Sequence, residues 1–429
     1  MSERKFISPR FGPFEGIRVI GCGSLIAMPF AAGLLSDFGA EFIQIERPGT
    51  GDTMRGLAPV LGTEKGKVSS AWMQDARNRL SLALELNMDE PNSRDIFFGL
   101  IRQSDIFIEN MVWLEKLGIR DDELLEANPQ LVIVHVSGFG HEEFGGLPEI
   151  CNQASYDIIG QAFSGYAYVN GFEDSPPLTI KPYLNDYVTA MFAVFGMLAA
   201  LFDARKTGKG QIVDVAQYES QMKLMRDAFT TNALGLDYIK RSGNKGLGTQ
   251  PWNMYKTGDG QYVMIGAIGH KVFSRFMDAA GLSEVDFPYV EVGTGKENIN
   301  SEKGKLFEQA VCDWCSGHSA EEIESALRSH KVACSKVNSP ADCLVNPQYI
   351  ARKDFVNTID ETTGMDITVV GIIPKMSKTP GMIWRGAPSL GQDTERILTD
   401  ILGYSENDVQ DFRRMGDNQL SFLFFLCMK

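Results

Sequence analysis

The sequence lacks the excess of basic residues that a nucleic-acid-binding protein carries. Its 41 lysines and arginines stand against 55 aspartates and glutamates, which gives a formal net charge of −14 over 429 residues. Because neutralising phosphates requires a cationic face, this balance argues against binding to nucleic acid and against docking on an anionic membrane. A small anionic ligand remains compatible with it, since such a ligand needs only a local group of lysines and arginines.

Long uninterrupted apolar runs are also missing. The segment Met1–Phe14 carries charges and two prolines and contains no apolar core typical of a secretory signal. The apolar stretch that starts at Tyr187 leads into Asp203, and the C-terminal run Leu420–Met428 is about half as long as a membrane span. We interpret that run as a tail that docks on protein. We therefore expect a cytoplasmic protein that does not use a membrane.

Cysteine and histidine are too scattered to indicate a disulfide framework or a metal site. The seven cysteines are an odd number spread over a long chain, which favours reduced thiols. The one CxxC motif, Cys312 to Cys315, has no second pair, and the five histidines show no metal-like spacing. We expect both cysteines to lie within a helix, and we expect neither a metal nor a permanently bound cofactor. No GxSxG, HExxH or P-loop motif occurs.

What the first half of the sequence contains is an alternation of strands and helices. The predicted strands span residues 16–21, 41–46, 79–86, 106–109 and 131–137, and the helices between them span 29–38, 89–102 and 121–127. A helical stretch at 155–165, a long apolar helix at 187–205, a strand at 212–215 and a helix at 218–233 follow. This alternation indicates an α/β fold with a parallel sheet covered on both faces.

The character of the chain changes near Gly235. A glycine-rich stretch at 243–248 precedes two short segments that are separated by Gly258-Asp-Gly260, which indicates a hairpin. Helices are predicted at 270–280, 302–316 and 320–330, and a last one at 394–415. We therefore predict a large domain at 1–234, a small domain at 235–340, and a connector with a C-terminal segment at 341–429 that returns to the large domain.

The first strand and turn resemble a dinucleotide-binding fingerprint. Gly21 and Gly23 follow the strand, and Glu46 lies about twenty residues further on, as that fold requires. However, Ile26 occupies the third glycine position, and Pro29 falls where the phosphate-binding helix begins. An NAD-dependent oxidoreductase therefore remains only an alternative.

Several segments, taken in order, carry a more specific resemblance. They are Gly33-Leu-Leu-Ser-Asp-Phe-Gly-Ala-Glu41, Ile45-Glu-Arg-Pro-Gly-Thr-Gly-Asp52, Asp105-Ile-Phe-Ile-Glu-Asn110, Ser137-Gly-Phe-Gly140, Gln161-Ala-Phe-Ser-Gly165, Pro182-Tyr-Leu-Asn-Asp186, Asp214-Val-Ala-Gln-Tyr-Glu219 and Trp384-Arg-Gly-Ala-Pro388. From about Gly12 to Asp411 the chain resembles the class III coenzyme A transferases (the CaiB/BaiF type, the family of formyl-CoA transferase), and within them the carnitine and bile-acid branch. The resemblance implies a Rossmann-like large domain, a smaller α/β domain and an interlinked homodimer.

The resemblance also implies a chemistry and the residues that perform it. Coenzyme A would move from an acyl-CoA to a carboxylic acid through a mixed anhydride and a thioester on Asp186, which is covalent catalysis. Without the resemblance, an Asp at the start of a helix, such as Asp186, would be interpreted as an N-cap and not as a nucleophile. Gly246 and Gly248 match a loop that closes over the intermediates, for which an interdomain linker is the alternative. Asp157 matches a carboxylate that holds the substrate or that loop, and a helix cap is its alternative.

The same resemblance assigns further positions to coenzyme A, namely Ile26, Ala27, Arg47, Arg79, Asn110, Met111 and Lys116. A single Arg or Lys among them is equally a solvated surface charge. Ile26 stands where formyl-CoA transferase has a Gln near the nucleophile, which favours a larger and less polar acyl group than formyl or oxalyl. A bile acid and a carnitine-type acid both remain open as substrates, and a non-catalytic CoA-binding protein remains a second class of function.

Overall fold

The computed structural model describes residues 4–111, 114–236 and 238–418. These residues form two compact units. The larger unit comprises the chain up to Ser164, Lys181–Leu224 and the part from Ile350 onward, and the second comprises Gly165–Ile180 and Met225–Tyr349. The boundaries predicted at 234 and 340 thus fall at 224 and 349, and residues 165–180 join the second unit. The C-terminal run Leu420–Met428 lies outside the described residues.

The described residues contain thirteen strands, which form one large sheet and three small ones. They are β1 (Arg18–Cys22), β2 (Glu41–Glu46), β3 (Val60–Gly62), β4 (Lys67–Ser69), β5 (Arg79–Ala83), β6 (Ile106–Glu109), β7 (Val132–Ser137), β8 (Ile212–Ala216), β9 (Trp252–Lys256), β10 (Tyr262–Gly266), β11 (Ala333–Lys336), β12 (Phe355–Ile359) and β13 (Asp366–Val370).

The α-helices of the described residues vary from three to 24 residues. They are α1 (Ala27–Ser36), α2 (Ser70–Asp75), α3 (Pro91–Ile101), α4 (Asp121–Ala127), α5 (Pro148–Cys151), α6 (Asp157–Phe163), α7 (Tyr166–Val169), α8 (Leu184–Thr207), α9 (Gln217–Met222), α10 (Ala228–Ala233), α11 (His270–Ala280), α12 (Lys296–Asn300), α13 (Glu302–Ser316), α14 (Ala320–Ser329), α15 (Pro340–Val345), α16 (Pro347–Arg352), α17 (Thr394–Arg396) and α18 (Glu406–Asn418).

The large sheet has six strands in the order β5-β2-β1-β6-β7-β8, and all neighbouring pairs are parallel. Successive residues of each strand point to opposite faces, so a sheet covered on both sides needs a continuous apolar strand. On one face, Val19 lies in a core with residues of α1 and α8, and on the other, Ile20 lies in a core with residues of α3. The predicted α/β fold with a parallel sheet is confirmed.

Helix α8 carries small residues on its buried face, including Ala190, Ala193, Ala200 and Ala204, which allow close packing against the sheet. It starts three residues earlier than the sequence predicts, and Tyr183 rather than Asp186 occupies the N-cap position. By length and composition alone this helix is apolar enough to cross a membrane, although the sequence analysis set its apolar run aside because it leads into Asp203. One such helix is weak support for a membrane span, because core helices of soluble proteins pass the same test.

Two predicted helices are interrupted. The helix predicted at 218–233 is divided into α9 and α10, and between them Arg226 adopts a left-handed conformation with φ 51°. The helix predicted at 394–415 is broken between Ile401 and Glu406, where Gly403 has φ 79°. Left-handed backbone ends a helix. Before this break, Ile397 and Leu398 lie in the core beside the large sheet, so the C-terminal segment returns to the larger unit.

The second unit has a three-stranded antiparallel sheet of order β11-β10-β9, with α11, α13 and α14 contributing to its core. The hairpin β9–β10 is the predicted one. Cys312 and Cys315 both lie in α13 as free thiols, as predicted. Cys315 is buried among Phe273, Phe276 and neighbouring apolar residues, so its role there is packing.

Candidate active site

A cavity of about 860 Å³ opens at the carboxyl ends of the parallel strands in the larger unit. Open α/β sheets bind ligands at this edge, because the loops that follow the strands converge there. Residues from the ends of five strands line it together with Asp186, and they include Gly23–Ala27, Ile45–Arg47, Leu84–Leu86, Asn110, Met111 and Val136–Gly138. Asp186 and Gln217 both line the cavity, and each is 8% exposed.

Asp186 lies in the first turn of α8 and is 8% exposed. Its Oδ1 accepts a hydrogen bond from Nε2 of Gln217 at 2.5 Å. Gln217 is the first residue of α9, directly after β8, so the sheet edge fixes where this amide points. The bond holds Oδ1 of a carboxylate that lines the cavity.

Asp157 orients the helix that carries Asp186. Its Oδ1 accepts the backbone N–H groups of Asn185 at 2.7 Å and Asp186 at 3.3 Å, and its Oδ2 accepts Nε2 of Gln161 at 2.7 Å. A carboxylate that accepts the unpaired N–H groups of a first helical turn performs the function of a cap from a distance. Asp157 is therefore the cap of α8, while Asp186 is not a cap at all.

The surroundings of Asp186 raise its pKa to about 7. Burial contributes most, and the negative charge of Asp157 adds to it, while the hydrogen bond from Gln217 acts in the opposite direction. The sequence argument expected the helix N-terminus to favour an ionised Asp186. The structure shows that burial beside a second carboxylate outweighs that effect, since Asp157 already accepts the helix N–H groups.

The glycine turn after β1 is filled by a side chain. The amide of Asn110, which follows β6, bonds the backbone of Ser24 twice, with Oδ1 accepting Ser24 N–H at 3.1 Å and Nδ2 donating to Ser24 O at 2.9 Å. A Cβ on Gly23 would overlap Oδ1 of Asn110. The close approach of this amide therefore requires a glycine at position 23.

Glu46 is unavailable to a ribose. It is 3% exposed and bonds Arg55 through both oxygens, each at 2.7 Å. Its Oε1 also accepts the Ser81 hydroxyl, and its Oε2 accepts the backbone N–H of Asp52. Because these partners engage both oxygens of the acidic residue of the fingerprint, the NAD-dependent alternative loses one of its two supports.

The positions that the sequence assigns to coenzyme A do not all meet at the cavity. Ile26, Ala27, Arg47, Asn110 and Met111 line it. Lys116 is exposed on the short helix Leu114–Leu117, whose last residue lines the cavity.

Arg79 differs from the other six positions. It is 1% exposed, and its guanidinium donates to Oε1 of Gln44 and to the backbone oxygens of Pro29 and Asp75. A guanidinium enclosed in this way has no face for an adenine or a phosphate. We therefore assign Arg79 a packing role in place of the predicted ligand contact.

Gly246 and Gly248 belong to the second unit. The N–H of Gly246 donates to the oxygen of Trp252 at 2.9 Å, so in this conformation it is not available to an oxyanion. The oxygen of Gly248 accepts the N–H of Gly295. A Cβ on Gly246 would press on Thr249 and Trp252, which accounts for a glycine at that position.

Gln217 is a candidate site residue that the sequence analysis did not identify. It occurs inside the segment Asp214-Val-Ala-Gln-Tyr-Glu219, which contributed to the family resemblance but was given no role. A polar residue directly after a buried parallel strand was the available signal, since such positions meet at the ligand edge of the sheet.

The family model for CoA-transferase family III matches residues 14–394 of the chain. The chain belongs to this family. A curated relative, the bile acid CoA-transferase BaiK of Clostridium scindens, is 36% identical over 412 residues, which cover 95% of this chain and 90% of BaiK.

Solved structures agree with the fold of this CoA-transferase. A CAIB/BAIF family protein from Brucella suis has a TM-score of 0.78 at 22% identity, covering 91% of this chain and all of its own. The protein Rv3272 of Mycobacterium tuberculosis has a TM-score of 0.75 at 20% identity, covering 90% of this chain and 99% of its own. These structures support the fold, while the family match and the similarity to BaiK confirm the resemblance drawn from the sequence and the class of enzyme, a transferase.

Proposed function

We propose that this CoA-transferase moves coenzyme A between carboxylic acids through covalent intermediates on Asp186. The observation that carries the proposal is a buried carboxylate that lines the cavity and has one oxygen held by Gln217. A positioned nucleophile with a second group that orients it is the arrangement that covalent catalysis requires.

In the proposed reaction, Asp186 attacks the thioester carbon of an acyl-CoA, and the C–S bond breaks. The CoA thiolate leaves and a mixed anhydride forms. The thiolate then attacks the Asp186 carbonyl carbon, which releases the donor acid as a carboxylate and leaves a thioester between Asp186 and coenzyme A. An acceptor carboxylate attacks that thioester, and the same two steps run in reverse. No net proton is consumed, and coenzyme A is a substrate, so no resident cofactor is needed.

The electrostatics of the site favour the covalent state. In the free protein the ionised Asp186 faces the charge of Asp157 in a buried setting, which raises its pKa to about 7. Acylation converts Asp186 into a neutral anhydride or thioester and removes that repulsion. The ionised ground state is therefore less stable relative to the intermediates than it would be in water.

We propose a bile acid as the carboxylic substrate, with a carnitine-type acid as the alternative outcome of the test. The 36% identical relative is named for bile acids. In addition, Leu25, Ile26 and Val136 line the cavity near Asp186 and offer apolar surface to a bulky acyl group. Ile26 also belongs to a buried apolar cluster with Met54 and Trp72, which supports this wall of the cavity from behind.

We further propose a cytoplasmic homodimer. Met191, Phe195 and Phe202 lie on one stripe of α8 and are 58%, 73% and 65% exposed. Contiguous exposed apolar surface of this kind marks a protein interface, and a second copy is the occupant that the family resemblance implies. Light scattering should give twice the mass of 47.4 kDa, and Phe195→Glu with Phe202→Glu should reduce it. A monomeric wild-type protein would contradict this part.

The deciding experiment is intact-protein mass spectrometry after brief incubation with acetyl-CoA, crotonobetainyl-CoA, carnityl-CoA and cholyl-CoA. We expect a species heavier by one coenzyme A minus water, formed best with cholyl-CoA and absent in Asp186→Ala. Asp203→Ala is the matched control, since Asp203 is an exposed aspartate of the same helix. Coenzyme A binding with no adduct from any donor would favour the non-catalytic CoA-binding alternative.

A further inference from the structure

Three ionisable side chains lie next to one another on neighbouring strands of the large sheet. Glu109 of β6 is the register partner of His135 of β7, and His135 is the register partner of Asp214 of β8. Register partners on parallel strands project to the same face. The sequence separates these residues widely, so only the strand order brings them together.

Carboxylates bond both nitrogens of the His135 ring. Nδ1 is 2.7 Å from Oε1 of Glu109, and Nε2 is 2.9 Å from Oδ2 of Asp121, the first residue of α4. His135 is 7% exposed. A neutral imidazole has one donor and one acceptor, whereas two carboxylates offer only acceptors, so this geometry selects the doubly protonated ring.

The second oxygen of Glu109 reaches the cavity wall. It accepts the backbone N–H of Met111, which lines the cavity. Between them, Asn110 fixes the β1 turn at Ser24. The carboxylate of Glu109 thus bonds both the His135 ring and a backbone turn that lines the cavity.

A second histidine, His141, bonds Asp214 of β8 and holds the turn that follows β7. Nδ1 of His141 is 2.7 Å from Oδ1 of Asp214, and Oδ2 of Asp214 accepts the His141 backbone N–H at 3.1 Å. The His141 ring lies 4.9 Å from the His135 ring. Ser137 and Gly138, which line the cavity, precede this turn.

We propose that His135 is a positioning residue of the acyl-CoA cavity, whose imidazolium holds Glu109 in place so that Glu109 fixes the Asn110–Met111 turn. This inference rests on the proposed function, because it assigns that turn to the acyl-CoA ligand. His135 touches neither substrate nor Asp186, and its effect is on ligand binding.

A metal ion is the rival occupant of this cluster. Ligand atoms of Glu109, His135 and His141 all lie within 4.8 Å of one another. Two histidines and a glutamate are a zinc-type set. However, a cation would have to displace the proton that His135 shares with Glu109, and Asp121 already bonds the other ring nitrogen.

The test compares His135→Phe, Glu109→Gln and the double variant. Phe retains most of the ring volume but leaves Glu109 buried without its partner, so we expect about ten-fold weaker binding of coenzyme A. KM for the acyl-CoA donor should rise similarly while kcat stays within about two-fold. The double variant should recover part of the loss, because an amide at 109 removes the unpaired charge and its oxygen still accepts the Met111 N–H.

His270→Phe is the control for loss of a histidine, since His270 is an exposed residue of the second unit paired with Glu284. If His135→Phe does not fold, Asp121→Asn is the substitute, because it removes one of the two carboxylates that bond the His135 ring. Asp121 is partly exposed, so the fold should tolerate this change. Nitrogen-15 spectra of the wild-type protein should show one histidine with both ring nitrogens protonated from pH 6 to 9.

Each result separates this inference from the proposed function. Unchanged coenzyme A affinity in a folded His135→Phe protein would overturn the inference alone. One equivalent of zinc retained by the purified protein, or a neutral His135 ring at pH 7, would also overturn it. Wild-type protein that bound no coenzyme A would overturn the proposed function, and the inference with it.

Discussion

Asp186 and His135 are both buried ionisable residues beside the same cavity, and the structure raises the pKa of both. For Asp186 the cause is burial next to a like charge, and the pKa reaches about 7. For His135, Glu109 and Asp121 outweigh burial, which by itself lowers the value, and the pKa reaches about 10. A raised pKa therefore means a destabilised charge in the first and a stabilised charge in the second. A buried charge without a counter-ion is suited to chemistry, and a buried charge between two counter-ions is suited to holding structure.

The sharpest way to break this comparison is to remove the carboxylate of Asp186 without changing its shape. We expect Asp186→Asn to lower kcat for CoA transfer by about 10⁴-fold or more, since the covalent route is lost. Quenched time-course assays with an acyl-CoA donor and a carboxylic acceptor measure this kcat, and Asp203→Asn is the control. Transfer within ten-fold of wild type would exclude Asp186 as the nucleophile.

The same variant should make the fold more stable. A carboxyl whose folded pKa lies near 7 destabilises the protein as pH rises above its unfolded value, and the penalty is complete above pH 7. We expect Asp186→Asn to raise the free energy of unfolding by roughly 2–4 kcal/mol at pH 8 and by close to zero at pH 4. Urea titrations of both proteins at pH 8 and pH 4 test this. Equal free energies of unfolding for the variant and the wild type at pH 8 would mean that the ionised carboxylate of Asp186 does not destabilise the fold.

Removing the amide that holds Asp186 should have a smaller effect. Gln217→Ala takes away the one hydrogen bond that favours the ionised carboxylate, so the pKa of Asp186 should rise further. We expect kcat to fall roughly ten- to hundred-fold, with KM for the donor little changed. A loss in KM alone would indicate that Gln217 binds substrate and does not orient the nucleophile.

The smallest effect concerns the like charge. Asp157→Asn keeps an oxygen that can cap α8 but removes the repulsion, so the pKa of Asp186 should fall. Transfer by the wild-type enzyme should rise as pH increases through about 7, and in the variant this rise should occur at lower pH. The pH profile of kcat/KM measures it. A profile that does not move would show that burial alone raises the pKa of Asp186.

The sequence predicted the parallel sheet well because each of its strands is buried on both faces and therefore appears as a short apolar run between turns. The resemblance to the family supplied Asp186, which no pattern in the chain distinguishes from a helix cap. It could not supply Gln217, since the contact with Asp186 joins residues 31 positions apart. Likewise, Glu109, His135 and Asp214 become neighbours only through the strand order β6-β7-β8. Arg79 was misjudged because a sequence does not show which arginines a fold encloses.

The amide of Asn110 over Gly23 bears on how such sequences are classified. A search for the Gly-x-Gly signature alone would place this chain among nucleotide-dependent dehydrogenases, although the Asn110 side chain, which follows β6, packs against the second glycine and bonds the turn. A search that also includes the residue after β6 would separate glycine turns that a side chain contacts from those that none contacts. A single amide from elsewhere in the chain thus accounts for a glycine that the fingerprint attributes to a nucleotide.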